Sequence, residues 1–301
     1  MTNIFGLHIE PKDGEYLTKI KYYYTKYKCK AFQIFLSGNP IKIARVTKET
    51  INYFNQIKIY VKIHKLLLII HSPYTINIAE PLDVIHNWWI DSILKEYHIS
   101  TQIGIKYMIL HCGRLSSIQK LYKNNSEEEN IQIGIKIMRE CLRRICNKIN
   151  ENYTTIKTFI LLENTAGQKN ELLYNFYDFL KFYKELDKKE KKLIKICLDT
   201  CHLFASGSYK LTDAQNVDDL FKLIHKEINI SSLKLLHLND SKYEFGSRVD
   251  RHEELLKGTI NKSVIIRFIK IGKHYNIPMI LETPNPSPIK EIKLVSDTQS
   301  F

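Results

Sequence analysis

The sequence predicts an α/β protein, a single-domain (β/α)8 TIM barrel of 301 residues. Two observations support this prediction: eight short apolar runs recur along the chain, and longer amphipathic stretches separate them. Most of the runs are continuously apolar, as is typical of strands that helices cover on both faces. Regular alternation of strand and helix implies right-handed crossovers and a parallel sheet. Eight such units in about 300 residues favour a closed barrel over the alternative, a doubly wound open sheet.

The predicted strands are short, and most of them end on a polar residue. They are IFGLHI (4–9), AFQIFL (31–36), LLLIIH (66–71), KYMILH (106–111), TFILLE (158–163), IKICLD (194–199), LKLLHL (233–238) and IPMILE (277–282). Helices are predicted between them, for example over 81–100 and 127–150. The second of these follows Ser126, and Glu129 three residues later completes a capping-box pattern that starts a helix.

Composition indicates a folded protein with a sizeable core, because 44% of the residues are hydrophobic and 26% are charged. No change in composition marks a second domain, so one domain is predicted over residues 1–301. The N-terminus does not resemble a signal peptide, and no apolar run reaches the roughly 18 residues of a membrane span. Six scattered cysteines do not form the dense framework of a small secreted protein. An intracellular, reducing compartment is therefore expected, with no membrane association.

The net charge is +13, carried by 37 lysines and 8 arginines against 32 acidic residues. Such an excess favours polyanionic partners, and lysine suits contact with phosphate better than the reading of bases. An AT-rich coding sequence would also enrich lysine, so the charge alone leaves both explanations open.

Five of the eight runs end on a metal-ligand type of residue, and LKLLHL carries His237 one position before its end. These residues are His71, His111, Glu163, Asp199, His237 and Glu282. In a parallel barrel these strand ends converge on one rim, where barrel enzymes have their active sites. One histidine at a strand end is commonly a polar residue whose hydrogen bonds are satisfied. Six ionisable residues at the ends of six apolar runs, however, must be paired with one another or bound to a ligand. The pattern predicts a shared site.

Three more candidates lie just beyond strand ends, namely His202, Asp250 and His252. The nine residues together offer nitrogen and carboxylate donors without a thiolate. This mixture suits zinc or another borderline divalent ion in catalysis better than a closed structural zinc site. Nine ligands exceed the shell of one ion, whereas three ions that share a bridging carboxylate would account for them.

The stretch CLDTCHLFASG (197–207) allows a thiol pair, a nucleophilic triad with His202 as base, or a metal shell from Asp199 and His202. Cys197 and Cys201 are separated by three residues rather than the two of a CxxC motif, and no second pair follows at zinc-finger spacing. A nucleophilic Cys201 would need a base, while its neighbour His202 belongs to a candidate metal site. The metal shell is favoured, and both cysteines are predicted to pack in or near the core.

Several longer motifs follow one another in a family-specific order and spacing. They are HSPY (71–74), ENTAG (163–167), CLDTCHLFASG (197–207), HLNDSK (237–242), GSRVDRHE (246–253) and LETP (281–284). The chain thereby resembles the endonuclease IV family of apurinic/apyrimidinic (AP) endonucleases over about residues 5–284, which leaves a short C-terminal tail, 285–301. The resemblance implies a barrel with three zinc ions that hydrolyses DNA 5′ to an abasic site in base excision repair. The products would carry a 3′-hydroxyl and a 5′-deoxyribose phosphate.

The resemblance also implies which residues bind each ion. The ligands would be His71, His111 and the bridging Glu163 for the first ion, Glu163, Asp199, His237 and Glu282 for the second, and His202, Asp250 and His252 for the third. Glu282 would orient or deprotonate the attacking water, and Glu163 is the second catalytic candidate. His8, in the first run, is expected to be structural.

A monomer that binds double-stranded DNA with abasic sites is expected, and the candidate DNA contacts are Tyr74, Asn39, Ile41, Lys242, Arg248 and Arg251. Tyr74 and the loop FLSGNPIKIA (35–44) match the segments with which the family enters the duplex. Ile41 stands where the family often has a basic residue, so it is either an apolar wedge or a buried helix residue. Lys242, Arg248 and Arg251 would contact phosphates, with surface salt bridges as the alternative for the two arginines.

Two other functions compete with this one. A sugar isomerase or epimerase on a related barrel also uses Glu, Asp and His at strand ends around one or two divalent ions, but it does not need His202, Asp250 and His252. A non-catalytic DNA-binding barrel would not need metal ligands and would have been free to lose them. Here all nine ligand-type residues are present.

Overall fold

The computed structural model describes residues 4–10, 16–39, 41–42, 47–81, 86–285 and 287–300. Its strands are β1 (Phe5–His8), β2 (Ala31–Ile34), β3 (Leu67–His71), β4 (Tyr107–His111), β5 (Phe159–Glu163), β6 (Ile194–Asp199), β7 (Leu233–His237), β8 (Asp240–Ser241), β9 (His252–Glu253) and β10 (Met279–Leu281). Its α-helices are α1 (Tyr16–Tyr27), α2 (Lys48–Ile63), α3 (His86–Ile103), α4 (Ser116–Leu121), α5 (Glu127–Asn152), α6 (Phe176–Lys184), α7 (Lys188–Leu193), α8 (Thr200–Ser206), α9 (Ala214–Ile228), α10 (Lys262–His274) and α11 (Ile289–Asp297).

Eight parallel strands close into a barrel in the order β1-β10-β7-β6-β5-β4-β3-β2. Closure is complete because β1 pairs with both β2 and β10, and Gly6 is in register with Ala31 on one side and Ile280 on the other. The predicted (β/α)8 barrel is confirmed and the open sheet is wrong. Each of the eight predicted strands contains one barrel strand, shorter by up to three residues.

The apolar runs are continuous because both faces of the barrel sheet are buried. One set of side chains, including Ile69, Ile109 and Leu161, fills the barrel interior. The alternate set, including Ile70 and Leu162, packs outward against the helices. Cys197 belongs to the interior set, so at least one of the two cysteines of the 197–207 stretch is a core residue as predicted.

Two helices test the sequence-based boundaries. The helix predicted over 127–150 is α5, and its capping box is formed: Ser126 Oγ accepts from the backbone N–H of Glu129, and the Glu129 carboxylate accepts from the N–H of Ser126 at 2.7 Å. The helix predicted over 81–100 is α3, which begins at His86, and residues 82–85 lie outside the described residues. Within the described residues no helix is both long and apolar enough to span a bilayer.

The segment after the last motif is more than a tail. It contains α11, whose Ile292 and Val295 are buried in the core. Lys273 of α10 donates from Nζ to the carbonyl oxygen of Ser296 at 3.0 Å. Residues up to about 298 are therefore packed on the barrel.

A small hairpin outside the barrel, made of β8 and β9, carries part of the site. In it Ser241 pairs with His252 and Asp240 with Glu253. The buried Asp240 carboxylate accepts backbone N–H bonds from four residues, Ser241, Leu256, Gly258 and Ile260. These bonds fix the chain around the hairpin and hold His252 close to the barrel rim.

Candidate metal centre

The polar strand ends meet at one rim of the barrel. Strand register aligns His111 with Glu163, and Asp199 with His237. Glu282 follows β10 directly, so it joins the same rim. The side chains are enclosed: Glu163, Asp199 and His237 are at most 1% exposed. The predicted convergence of strand ends therefore produces one buried polar cluster, which divides into three groups.

The first group consists of His71, His111 and Glu163. Oε2 of Glu163 lies 3.4 Å from Nε2 of His71 and 3.1 Å from Nε2 of His111. The two histidine Nε2 atoms are 3.2 Å apart. A tetrahedral shell with bonds of about 2 Å has ligand atoms roughly 3.3 Å apart, so these separations match the edges of one coordination shell.

The second group shares Glu163 with the first. Oε1 of Glu163 lies 2.7 Å from Nδ1 of His237, and the same nitrogen lies 3.0 Å from Oε2 of Glu282 and 3.9 Å from Oδ2 of Asp199. The ligand atoms of all four residues lie within 4.8 Å of one another. Glu163 thus presents one oxygen to each of two groups, as a bridging carboxylate must.

The third group brings together His202, Asp250 and His252. Oδ1 of Asp250 lies 3.2 Å from Nε2 of His202 and 3.3 Å from Nε2 of His252. His202 is placed by the start of α8, because Asp199 is the N-cap of this helix and accepts from the N–H of His202 at 2.7 Å. The Asp199 carboxylate therefore belongs to the second group and at the same time caps α8, the helix that carries His202 of the third group.

The histidines are oriented by hydrogen bonds on the side away from the cluster. Nδ1 of His71 donates to the carbonyl oxygen of Ser72, Nδ1 of His202 to that of Asn164, and Nδ1 of His252 to that of Glu282, at 2.7, 2.9 and 3.0 Å. His237 is turned the other way, and its Nε2 donates to Oε1 of Gln33 at 2.8 Å. In each ring the second nitrogen faces the cluster, an arrangement typical of metal-binding histidine.

The donor set fits divalent cations. A neutral imidazole that donates from one nitrogen has a lone pair on the other, and these lone pairs face the carboxylates of Glu163, Asp250 and Glu282. Lone pairs and carboxylates repel unless a proton or a metal cation lies between them, and buried carboxylates need compensation in any case. Nε2 of His252 is also buried without a hydrogen bond to any described residue. Nitrogen and carboxylate ligands of this kind suit zinc or a similar ion.

The charges in the cluster are strongly coupled. Burial alone would raise the pKa of the Glu163 carboxyl, but His237 and His111 outweigh burial and hold its pKa well below the usual range. Burial likewise opposes ionisation of Glu282, yet His237 and other histidines lower the pKa of Glu282 to about 2. Burial would lower the pKa of His202, but Asp199 and Asp250 raise this pKa well above its ordinary value. The cluster thus keeps Glu163 and Glu282 ionised at neutral pH, whereas burial raises the pKa of the Asp199 carboxyl above its ordinary value.

The two cysteines near the cluster are thiols with a packing role. Cys197 and Cys201 are buried and free, and burial raises the pKa of Cys197 to about 12 and that of Cys201 as well. Sγ of Cys201 points to the carbonyl oxygen of Arg251 at 3.8 Å, whereas the ring of His202 faces Asn164 and Asp250. This geometry disfavours both the thiol-pair and the triad interpretation of residues 197–207.

Comparison with known proteins agrees with this geometry. Residues 23–300 match the family described as xylose isomerase-like TIM barrel. The chain is also 34% identical over 259 residues to a probable endonuclease 4 of Nitrosopumilus maritimus, and the match covers 85% of each chain. The chain belongs to the endonuclease IV family. This confirms the resemblance that the motifs indicated.

Solved structures show how widely the fold is shared beyond endonuclease IV. The endonuclease IV of Thermus thermophilus superposes with a TM-score of 0.74 at 20% identity, over 98% of this chain and 99% of the other. A putative xylose isomerase from Rhodospirillum rubrum superposes with a TM-score of 0.75 at 10% identity, over 99% of both chains. The barrel alone therefore does not distinguish a nuclease from an isomerase, and the side chains must do so.

Several polar residues of the site escaped the sequence analysis. Gln33, in the middle of the second run, is fully buried; its Nε2 donates to Oε1 of Glu282 at 2.6 Å, and its Oε1 accepts from His237. His8, expected to be only structural, ends β1 and lies 3.7 Å from the Glu282 carboxylate. Burial lowers the pKa of His8 to about 3. Asn239 donates to Oδ2 of Asp199 at 2.6 Å. A polar residue inside an apolar run was the available signal for Gln33.

The segments matched to the DNA-entering parts of endonuclease IV lie side by side at the rim. Tyr74 is 43% exposed, and its ring lies against His71 and His111, with centroids 5.2 and 5.4 Å apart. Ile41 is 59% exposed in a turn, so the alternative that it is a buried helix residue is wrong. Oδ1 of Asn39 accepts from the N–H of Ile41 at 2.9 Å, which gives Asn39 a local structural role. Residues 40 and 43–44 of the predicted loop lie outside the described residues.

The three basic candidates lie on or next to the loop that carries Asp250. The guanidinium of Arg248 lies 4.2 Å from the centre of the Tyr174 ring and donates to its hydroxyl at 2.8 Å. Arg251 donates to the backbone carbonyl of Asp250. Lys242 is exposed, and its backbone N–H donates to the carbonyl oxygen of Arg251 at 2.9 Å. These contacts differ from the surface salt bridges considered as the alternative, and all three side chains remain exposed to solvent.

Proposed function

We propose that this chain is a zinc-dependent AP endonuclease of base excision repair that acts as a monomer on double-stranded DNA. Membership of the endonuclease IV family makes it a DNA-cleaving enzyme. In the proposed reaction it hydrolyses the phosphodiester 5′ to an abasic site and leaves a 3′-hydroxyl and a 5′-deoxyribose phosphate. The observation that carries the proposal is the presence of three groups made only of histidine and carboxylate ligands, two of which share Glu163.

The three groups would hold three zinc ions, with the ligands of each as the sequence predicts. Bound there, divalent ions make a nucleophile from water at neutral pH and neutralise charge on the attacking and leaving oxygens of a phosphodiester. The chain itself supplies the geometry, because the strand ends, α8 and the hairpin hold the ligands before any substrate arrives. Such preorganisation lowers the cost of assembling charge at the reacting phosphate.

Glu282 is suited to hold the attacking water. Its side chain is 11% exposed, so solvent reaches it more easily than the fully buried Glu163 and Asp199. Gln33 fixes one of its carboxylate oxygens, and Asn239 accepts from its backbone N–H at 2.9 Å. A carboxylate held in this way accepts a hydrogen bond from water in one defined direction. Glu163 would act on the reaction through the two groups that it joins.

DNA would bind across the rim, largely through its phosphates. The net charge of +13 and the exposed Lys242, Arg248 and Arg251 favour backbone contact that is independent of sequence. Ile41 and Tyr74 lie on neighbouring loops, since Thr75 Oγ1 donates to the carbonyl oxygen of Ile41 at 3.2 Å. Apolar side chains in such a position can enter a base step. A nucleotide without a base loses little stacking when it turns out of the helix, which favours the lesion.

The sugar isomerase alternative shares the barrel but not the need for a third group. His202, Asp250 and His252 form a compact third group, in which Oδ1 of Asp250 lies 3.2 and 3.3 Å from Nε2 of the two histidines. Isomerase chemistry uses one or two ions and does not need these three residues. The non-catalytic alternative is disfavoured because all nine ligand-type residues are present and converge.

A nicking assay tests the proposal. The purified protein is mixed with a duplex that contains one tetrahydrofuran abasic analogue and, separately, with the matching undamaged duplex. We expect cleavage of the first only, with a product end that a DNA polymerase extends. Glu282→Gln should abolish cleavage, while Glu185→Gln, a matched change of an exposed carboxylate on the outer surface, should not. Binding without cleavage would favour the DNA-binding barrel, and epimerisation of a ketohexose without cleavage would favour the isomerase.

A further inference from the structure

Two glycines touch where the loop of Asp250 meets α8. Gly207 is the C-cap that follows α8, with φ of 68°, and Gly246 opens the GSRVDRHE motif, with φ of 75°. A Cβ atom on Gly207 would lie 2.7 Å from the Cα atom of Gly246. Real Cβ atoms do not come so close to backbone, so the two main chains approach as nearly as they do only because Gly207 lacks a side chain.

The close approach allows two backbone hydrogen bonds. The N–H of Gly246 donates to the carbonyl oxygen of Phe204 at 3.2 Å, and the N–H of Arg248 donates to that of Ala205 at 2.9 Å. Both acceptors belong to α8, the helix that also carries His202. The loop is thereby tied to the helix two residues before Asp250 and four residues before His252.

The other side of the loop rests on the segment after β5. Arg248 stacks on Tyr174, and the N–H of Asp250 donates to Oε1 of Gln168 at 3.3 Å. These contacts end in flexible side chains that can follow a small shift. The contact with α8 is backbone against backbone, so it sets the distance between the loop and the helix.

We propose that Gly207 is a positioning residue that sets the geometry of the third group. By allowing the backbone contact with Gly246, it fixes the distance between His202 on α8 and Asp250 on the loop, while the hairpin of β8 and β9 holds His252. The first and second groups take their ligands from barrel strand ends, and the second is linked to this region only through the Asp199 cap of α8 and the hydrogen bond from His252 to the Glu282 carbonyl. The inference rests on the proposed function in so far as the third group is taken to hold a metal ion.

The chain offers matched controls for the test. Gly246→Ala places alanine at nearly the same φ, but its Cβ would lie 3.7 Å from the Cα atom of Gly207, an ordinary contact. Gly104→Ala places alanine at φ of 79° with nothing within 4 Å. The backbone strain of a positive φ is common to all three variants, whereas the collision with backbone belongs to Gly207→Ala only.

The first measurement is the zinc content per folded chain after dialysis against zinc-free buffer. We expect Gly207→Ala to retain one ion fewer than the wild type, and Gly246→Ala and Gly104→Ala to retain the wild-type number. Where the wild type holds three ions, loss of zinc from all three variants alike, or from none, would overturn the proposal. So would failure of Gly207→Ala alone to fold, because that result would assign Gly207 to the stability of the barrel.

The second measurement is hydrogen exchange in protein stripped of metal, which needs neither zinc nor DNA. In Gly207→Ala we expect faster exchange in the peptide that contains Gly246 and Arg248, and unchanged exchange in α5. Unchanged exchange at Gly246 and Arg248 would contradict the proposal. If the exchange result holds but the wild type binds fewer than three ions, the positioning role stands and the proposed function of the third group fails.

Discussion

Nδ1 of His237 lies 2.7 Å from Oε1 of Glu163, while Oε2 of the same carboxylate lies 3.1 Å from Nε2 of His111. One carboxylate therefore spans two histidine groups that come from strands β4 and β7. The third group shares no ligand with these two. The metal content of single variants can therefore measure how far each group depends on Glu163.

Glu163→Ala should remove more metal than His252→Ala. Glu163 contributes an oxygen to two groups, whereas His252 belongs to the third group. We expect the first variant to lose about two ions per chain and the second about one, since a shell that lacks one of its three or four ligands binds far more weakly. Zinc analysis of both purified proteins checks this. Equal losses would contradict the role of Glu163 as a bridge.

Gln33 should control the second group without binding metal. Its amide accepts from Nε2 of His237, which leaves Nδ1 of that ring free to face the cluster, and it donates to Glu282. Removal of such an orienting partner typically weakens metal binding about 10–100-fold, so we expect Gln33→Met to lower zinc affinity by this amount.

The matched control is Gln119→Met, because Gln119 also uses its side-chain amide, accepting from Asn170 at 2.9 Å, but on α4 outside the cluster. Competition with a chromogenic chelator gives the affinities of both variants. Wild-type affinity in Gln33→Met would show that the His237 ring needs no external support.

Asp240→Asn should destabilise the fold around the hairpin. The carboxylate accepts four backbone N–H bonds, two on each oxygen. An asparagine NH2 group would face two of these donors and leave them unsatisfied, at a cost of about 2–3 kcal/mol in the free energy of unfolding. Urea unfolding followed by circular dichroism measures the change.

Asp213→Asn serves as the comparison for Asp240→Asn. Asp213 caps α9 by accepting from the N–H of Asn216 at 3.1 Å, and asparagine caps helices about as well as aspartate. We expect this variant to differ little from the wild type. Similar effects of the two substitutions would argue against a special role for the Asp240 carboxylate.

Ile41→Ser should weaken binding of abasic duplex without changing stability. The side chain is 59% exposed at the rim, so the folded protein does not depend on it. Burial of an aliphatic side chain in the duplex is worth roughly 1.5 kcal/mol or more, which corresponds to about tenfold in affinity. Ile63→Ser, at a position 68% exposed on α2, is the control. Fluorescence anisotropy with a labelled duplex measures the affinities. Equal affinities of the two variants would contradict the role of Ile41 as a wedge.

The barrel and its nine ligand-type residues could be predicted because their signals are local. Strands buried on both faces have continuous apolar sequences, and histidine or carboxylate at the strand end is visible in the same run. Gln33 was missed because a polar residue inside such a run looks like part of the strand, and its partners, His237 and Glu282, are more than 200 residues away.

Other features could not be inferred because they exist only in the folded chain. The contact between Gly207 and Gly246 joins positions 39 residues apart, and a glycine carries no side chain that would indicate a partner. His8 was assigned a structural role because its run was taken to end one residue later, at Ile9. With the strand end at His8, the same rule that identified His71 and His111 would have placed it at the rim.

The number of metal ions per chain tests the central claim most directly. Native mass spectrometry of the wild-type protein, purified without chelator, should give a monomer with three zinc ions, and Glu163→Ala should give a species with about one. A wild-type chain that carries a single ion, or none after incubation with zinc, would contradict the account of three groups joined through Glu163.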